Sequence, residues 1–531
     1  MGQMDEGRAD TWAKALWILA LVLAVAVPWL GTDAPQDDAY ITYRYAEHLV
    51  AGDGLVFNVG EEPVEGYTNF LWTVLIAVGM GLGMNPEWLG PALGLVFSVI
   101  AAILCGRLAR RLGASPIYAA AAMALLALQP TQRVHAMGGL ETSMFTALLL
   151  AGILPRVLAQ RTARGDRASG IWLAAAALTR PEGVMVFGLL ELADAFAARR
   201  ARVGLATWAQ ALLTRALPFG LIVGAHVIWR RMTYGDWVPN TFHAKVASDA
   251  TIQMEGLRYV GDAVLGFGVL LVVAPYLLLS LPLARGARAL CLWITTIFCL
   301  YVVYVGGDYM PTFRFLLPIF PLWSALACAS VSLVGRGDGG AQLARRAGWA
   351  FCMVSLASVA YAHSRADYWP GQADRHADLL AVGELLNEVL APDDWIAATA
   401  AGRVPYFARR RCIDMMGLSD RHIAQVEASP EAMGALEGHL KGDGEYVLDR
   451  RPEVILFLRL MATPEPLVEK KNWVAVARKQ AFSISESQIA QSPRFRAEYA
   501  CRSLKLQNRE GYMNIFVRKG VPVGAPPETK E

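Results

Sequence analysis

Two adjacent carboxylates, Asp37 and Asp38, open the segment Asp37-Asp38-Ala39-Tyr40-Ile41-Thr42-Tyr43-Arg44-Tyr45, shortly beyond the first long apolar run. Carboxylates beside a membrane are costly to desolvate, so their presence there calls for a use. At the head of a polar, Gly-rich segment the pair suits a site that handles protons, a cation or a polar substrate; an N-cap on an interfacial helix is the structural alternative. Tyr40 and Arg44 lie in the same segment, followed by Glu65-Gly66-Tyr67-Thr68-Asn69. Further along stand Arg133, His135 and Gly138-Gly139-Leu140-Glu141-Thr142, then Thr179-Arg180-Pro181-Glu182-Gly183. Two more groups follow: a segment from Tyr234 to Lys245 containing Asn240 and His243, and Gly306-Gly307-Asp308-Tyr309-Met310 with Arg314. Each has a plain explanation alone. Pro181 breaks a helix, Glu141 caps one, Gly307-Asp308 makes a turn, and His243 or Lys245 snorkels. Together they put acids, cations and aromatics on one face, which suits a pocket for a phosphate and a polyol.

That inventory sketches a reaction. A lipid phosphate calls for Arg or Lys donors, and Arg supplies a bidentate fork. Sugar transfer needs a base for the acceptor hydroxyl, while charge builds at the anomeric carbon and on the leaving phosphate. Asp37 or Asp38 is the candidate base, and Glu141 the second carboxylate, orienting the acceptor or a cation. A divalent ion would fall to Asp38 and Glu141; the sequence does not require one.

These residues need a scaffold, and composition says which kind. Of 531 residues 55% are hydrophobic and only 18% charged, a balance outside the soluble range. Repeated runs near twenty apolar residues give a mainly α, polytopic helical bundle. Arg clusters at 107–111, 156–167, 199–202, 285–288 and 336–346 separate the runs and mark the cytoplasmic side. They are too short and too close to spans for a nucleic-acid surface. Ala24-Val25-Ala26 has the look of a cleavage site, but the apolar stretch continues through Trp29 and Leu30, so Trp12–Leu30 reads as an uncleaved anchor.

The Arg clusters alternate correctly only if Phe70–Met84, which is short and holds Gly79, Gly81 and Gly83, does not cross. It reads as a re-entrant or interfacial helix. Spans are then expected near 88–106, 116–130, 143–158, 168–179, 183–198, 208–229, 261–283, 289–305, 315–334 and 347–362, about eleven crossings with the first. Loops 31–87, 131–142, 179–183, 230–260 and 306–314 fall outside, as does everything after about 363. Glu191 and Asp194 sit toward the cytoplasmic end of their span, within reach of water.

Residues 1–362 thus form the membrane module, 363–520 an extracytoplasmic α/β domain and 521–531 a polar tail. Leu379–Leu390 has an amphipathic helical pattern, and Trp395–Thr399 and Val454–Leu458 read as buried strands. Cys412 and Cys501, both in that outer domain, are placed to pair; no Cys spacing suggests a metal.

The set Asp37-Asp38-Ala39-Tyr40, Gly-Tyr-Thr-Asn-Phe-Leu-Trp (66–72), Gly-Gly-Leu-Glu-Thr (138–142) and Thr-Arg-Pro-Glu-Gly (179–183) resembles the GT-C superfamily of integral-membrane glycosyltransferases. Pro-Asn-Thr-Phe-His-Ala-Lys (239–245), Gly-Gly-Asp-Tyr-Met (306–310) and Ile-Asp-Met-Met-Gly-Leu-Ser-Asp-Arg-His-Ile (413–423) extend the likeness. The nearest branch is the terminal β-(1→2)-arabinofuranosyltransferases. The resemblance implies a bacterial inner-membrane enzyme with a polyprenyl-phosphate sugar donor, an outer-face site, inversion at the anomeric carbon and a cell-envelope glycan or glycolipid acceptor. It places the expected base on Asp37 or Asp38 and gives the outer domain a role in guiding a glycan. A transporter or flippase of a lipid-linked or polar solute is the second reading, drawing on the short apolar pieces around Arg180-Pro181-Glu182. An inert scaffold has no reason to gather such loops.

Overall fold

The computed structural model describes residues 2–30, 35–158, 161–245, 250–277, 285–308, 310–334, 372–428, 440–470, 472–507 and 509–524, with scattered positions between 346 and 361. The membrane module runs α1 (Gly2–Ala26), α2 (Asp37–Ala51), α3 (Phe70–Gly81), α4 (Pro86–Arg111), α5 (Pro116–Leu128), α6 (Pro130–Met137), α7 (Thr142–Ile153) and α8 (Ala163–Thr179). It continues with α9 (Glu182–Arg200), α10 (Leu205–Tyr234), α11 (Asn240–Lys245), α12 (Ala250–Phe267), α13 (Val269–Leu277), α14 (Arg285–Val305) and α15 (Phe320–Val334).

The described part of each expected span from 88 to 334 is mostly helical, with 278–283 outside the described residues, and lengths differ. Among the described residues five helices are long and apolar enough to cross, or six if α6 and the helix after it form one broken span bent by 114°. The expected eleven therefore include helices that are too short or too polar by that measure. The chain is a multi-pass membrane protein. α3 has 12 residues, about 18 Å at the helical rise, well short of a bilayer core. The segment expected as loop 131–142 is mostly helix α6, started by Pro130 at its first turn. The expected span 261–283 is interrupted where Gly268 adopts a φ of 102° between α12 and α13. The last expected span, 347–362, is described only at scattered positions.

Glu191 and Asp194 do not simply face water. Arg156 bonds Glu191 at 2.8 Å and Asp194 at 2.7 Å, Arg215 bonds Glu191 at 2.8 Å, and Arg161 bridges Asp166 and Asp194. Arg215 is 1% exposed.

The outer region begins with the helix Gln372–Val389, which covers the expected amphipathic segment. It packs on a six-stranded mixed sheet: β1 (Trp395–Ala398), β2 (Arg411–Asp414), β3 (Val454–Leu456), β4 (Ala462–Thr463), β5 (Tyr499–Lys505) and β6 (Tyr512–Arg518). The order is β2-β1-β3-β6-β4, with β5 also paired to β6. β1 is parallel to β2 and β3, and β6 is antiparallel to its neighbours. The expected domain start at 363 lies outside the described residues. The first residues of the expected tail are packed: Gly524 N–H donates to the Val389 carbonyl at 3.0 Å.

The sheet order rules out the expected Cys412–Cys501 bridge. Cys412 is in β2 and Cys501 in β5, with β1, β3 and β6 between them. Four strand spacings are about 19 Å, far beyond disulfide reach, and both thiols are free.

One apolar cluster joins the two regions. Ile41, Tyr45 and Phe57 share it with Leu379, Val382, Leu386 and Val404 of the C-terminal domain. The C-terminal domain is therefore packed onto α2.

Candidate functional site

The phase of α2 sorts its polar residues. Side chains three or four apart share a helix face. Asp38 and Thr42 lie on one face, and Thr42 meets Asn69, whose amide donates to it at 3.2 Å and to Glu141 Oε2 at 3.0 Å. Asp37, Tyr40 and Arg44 lie on another face, toward the outer domain. The adjacent carboxylates thus look in different directions.

On the Asp38 side the loops converge. Arg180 Nη1 donates to Glu141 Oε1 at 2.9 Å and its Nη2 to Glu182 Oε1 at 2.9 Å. Arg314 forks onto Asp308, at 2.7 Å through Nε and 3.1 Å through Nη2. The two guanidiniums flank the Phe315 ring, 5.0 Å and 5.6 Å from its centroid. Lys245 feels the charges of Asp38, Arg314, Asp308 and Arg180. Its side chain keeps exposed surface. It makes no hydrogen bond or ion pair among the described residues. Burial lowers its pKa, against the pull of Asp38 and Asp308. The Asp308 pKa is also below the usual carboxylate range: burial works to raise it, and Arg314 with Lys245 and Arg180 outweighs that.

The backbone before Arg314 is shaped for this. Gly306 and Gly307 take φ of 91° and 92°, open to glycine, and set up Asp308. Thr312 and Phe313 are also left-handed, at φ 68° and 62°, a conformation that costs about 1–3 kcal/mol per residue. Thr131 of α6 holds the kink by donating to the Thr312 carbonyl.

On the other face the Arg403 N–H of the outer domain donates to Asp37 Oδ1 at 2.8 Å. Burial is the largest influence on Asp37 and pushes its pKa up to about 6, with the Arg403 N–H opposing and Asp38 adding. Both Asp37 and Asp38 are half-buried.

The structure therefore gathers Asp38, Asn69, Glu141, Arg180, Glu182, Lys245, Asp308 and Arg314, drawn from all five expected loops. Others serve packing. Arg44 is a clamp: it donates to the Phe57 and Arg410 carbonyls at 2.7 Å each and to that of Pro405. Tyr67 meets the Tyr234 hydroxyl at 3.1 Å and packs on Tyr45. Glu65 pairs with Arg230 at 2.5 Å, and burial pushes its pKa up to about 7 against that partner. Asn240 donates to the carbonyls of Gly417, Leu418 and Asp420. His243 pairs with Asp236 at 2.8 Å, and His135 is fully enclosed on α6. Tyr40 is buried, donating to Glu87 under the Arg403 guanidinium. Phe315, Thr42, Gly402 and Arg403 were not singled out by sequence. Phe315 follows Arg314 directly, so adjacency was its signal; the other three carry no local one.

Among the described residues no group of three or more His, Cys, Asp or Glu side chains is placed to hold a metal ion. Of the expected pair Asp38 and Glu141, Glu141 accepts from Arg180 on one oxygen and from Asn69 on the other.

An apolar helical bundle with a charged cluster at one end and a packed C-terminal α/β domain is a fold that this chain shares with solved membrane proteins. ArnT from Cupriavidus metallidurans bound to undecaprenyl phosphate aligns with a TM-score of 0.52 at 14% identity, over 76% of this chain and 86% of that one. The oligosaccharyltransferase AglB from Archaeoglobus fulgidus, in complex with an inhibitory peptide and a dolichol-phosphate, aligns at 0.53 and 12% identity, over 97% and 76%.

At the level of sequence the chain is similar to the terminal beta-(1->2)-arabinofuranosyltransferase of Corynebacterium glutamicum, 30% identical over 367 residues, 60% of this chain and 52% of that protein. It is also similar to the enzyme of the same name from Mycobacterium tuberculosis, 32% identical over 274 residues, 47% of this chain and 41% of that protein. The chain spans about half the length of these relatives. A domain of unknown function, DUF8728, matches residues 366–500.

Proposed function

We propose that this chain is an inverting glycosyltransferase that moves a sugar, arabinofuranose in the first instance, from a polyprenyl-phosphate donor to a cell-envelope glycan or glycolipid. The reaction takes place at the outer face of a bacterial inner membrane. The observation that carries this reading is the Lys245 ammonium, unpaired among the described residues and within the field of Arg314, Arg180, Asp308 and Asp38. A phosphate ester bound there meets Lys245 as a point charge and the Arg pair as forked donors. The names of the relatives and the lipid phosphates bound by the fold neighbours support it.

Asp37 is the base. It adjoins Asp38, whose charge reaches Lys245, and accepts from the Arg403 N–H of the C-terminal domain. A carboxylate with its pKa near 6 is ionised at neutral pH and basic enough to take a hydroxyl proton as the anomeric bond forms. As the sugar–phosphate bond breaks, Lys245, Arg314 and Arg180 stabilise the charge on the departing phosphate. The Asp38 charge favours the charged form of Lys245, Glu141 and Glu182 fix Arg180, and Phe315 packs against the sugar.

The test is incubation of the purified protein with a panel of polyprenyl-phosphate sugars and a glycan acceptor. Consumption of the arabinofuranosyl donor, lost in Asp37→Asn, is expected. No consumption of any donor contradicts the reading.

A further inference from the structure

The outer domain does more than pack near the site. We propose that Gly402 and Arg403, at the corner after β1, are positioning residues that hold the Asp37 carboxylate, so that the outer domain completes the membrane module's active site. This rests on Asp37 as the base.

Three observations meet at this corner. First, the Arg403 main-chain N–H donates to Asp37 Oδ1 at 2.8 Å, leaving Oδ2 for a substrate proton. Second, the Arg403 side chain is itself fixed: its guanidinium lies 4.4 Å over the ring of Tyr40, three residues after Asp37, and donates to the carbonyl of Pro35, two residues before it. Third, the approach depends on glycine. A Cβ on Gly402 would fall 2.0 Å from the Asp37 carbonyl oxygen and 2.8 Å from its carboxyl carbon. Gly402 has a φ of −92°, so proximity, and not a left-handed turn, demands the missing side chain. Below the corner, Tyr40 packs on Tyr406 and Phe407 at 5.4 Å each, and Ile41 and Tyr45 share the apolar cluster with Val404. The start of α2 therefore moves only if the outer domain moves.

The charged groups facing Asp37 are Asp38 on its own helix and Arg403 from the outer domain. The Arg403 charge favours the carboxylate form and Asp38 opposes it. Removing the guanidinium therefore makes Asp37 protonate at higher pH, and the acid limb of the rate profile moves upward.

The experiment measures transfer by the full chain in proteoliposomes for Gly402→Ala, Arg403→Ala, Arg403→Lys, Asp37→Asn and Asn58→Ala. Asn58 ties the first outer loop to β2 through both its amide atoms and the Cys412 main chain, at 2.9 Å each, away from Asp37. It therefore reports domain docking alone. G402A and R403A are expected to lower kcat ~10–100-fold with donor KM unchanged, R403A to shift the acid limb upward, R403K to restore it, and N58A to turn over normally. Normal turnover in G402A and R403A with an inactive D37N overturns this inference alone. Equal losses in N58A overturn it too, because docking would then suffice. Normal turnover in D37N removes the base assignment itself.

Discussion

At the scale of residues, two neighbouring aspartates divide the labour because a helix turns about 100° between them. Asp37→Asn is expected to remove transfer while leaving donor binding intact, since the amide still accepts from the Arg403 N–H but takes no proton; turnover alongside lipid-phosphate binding separates the two. Lys245→Met should instead raise the donor KM at least ~10-fold, the worth of one charge-assisted contact of about 1.5–3 kcal/mol. Asp308→Ala strands Arg314, 6% exposed, with no carboxylate. Removing one partner of a buried pair costs about 3–5 kcal/mol, read as a lower thermal midpoint in detergent together with weaker donor binding. Asp414 gives a pH test. It is buried, accepts from the Ser419 N–H at 2.8 Å, and burial pushes its pKa up to about 7 from 3.8. The folded state then holds more protons than the unfolded state between those values, so Asp414's contribution is full below about 4 and is lost as pH rises through 7. The thermal midpoint should fall over that window and fall less in Asp414→Asn.

At the scale of elements, α2 acts as a shared wall. One face feeds Thr42 to Asn69 and Glu141, and the opposite one sends Arg44 into three carbonyls. Arg44→Ala should cost about 2–5 kcal/mol through those lost charge-assisted bonds. Arg44→Lys should not recover it, because an ammonium cannot fork across them; thermal unfolding of the two variants checks this. Much of the site was legible from sequence because its residues sit in short motifs that punctuate apolar helices. Glu141, Arg180, Glu182 and Asp308 each stand at a helix break, where a polar group at a membrane edge is conspicuous. Arg44 and Asn240 look just as conspicuous, yet their partners lie at 405–410 and 417–420. Nothing local says whether an Arg meets a substrate or a distant carbonyl. Gly402 and Arg403 escaped for the same reason. β1 and β3 were readable as apolar runs, but β2 follows Arg409-Arg410-Arg411 and is four residues long. Strand order, which separates Cys412 from Cys501, is a tertiary property that spacing does not encode.

At the scale of the molecule, charge collects at two ends of the bundle. One end holds Glu141, Arg180 and Glu182; the other holds Arg156, Asp166, Asp194 and Arg215. Along α8, Asp166 and Arg180 are about 21 Å apart at the helical rise. Glu191→Ala should therefore lower stability by about 3–5 kcal/mol while transfer per folded molecule stays normal. A solute carrier would place its polar site near mid-depth between broken helices; this bundle gathers Glu141, Arg180 and Glu182 at one end, and its C-terminal domain shares an apolar core with α2. The central claim is that this end holds a lipid phosphate beside Asp37, and the direct measurement is a structure of the full chain with undecaprenyl phosphate bound. The account predicts the phosphate within hydrogen-bond reach of Lys245 and of Arg180 or Arg314, on the side facing Asp37. A phosphate seated at the Arg156–Arg215 end, or in contact with none of those three cations, contradicts it.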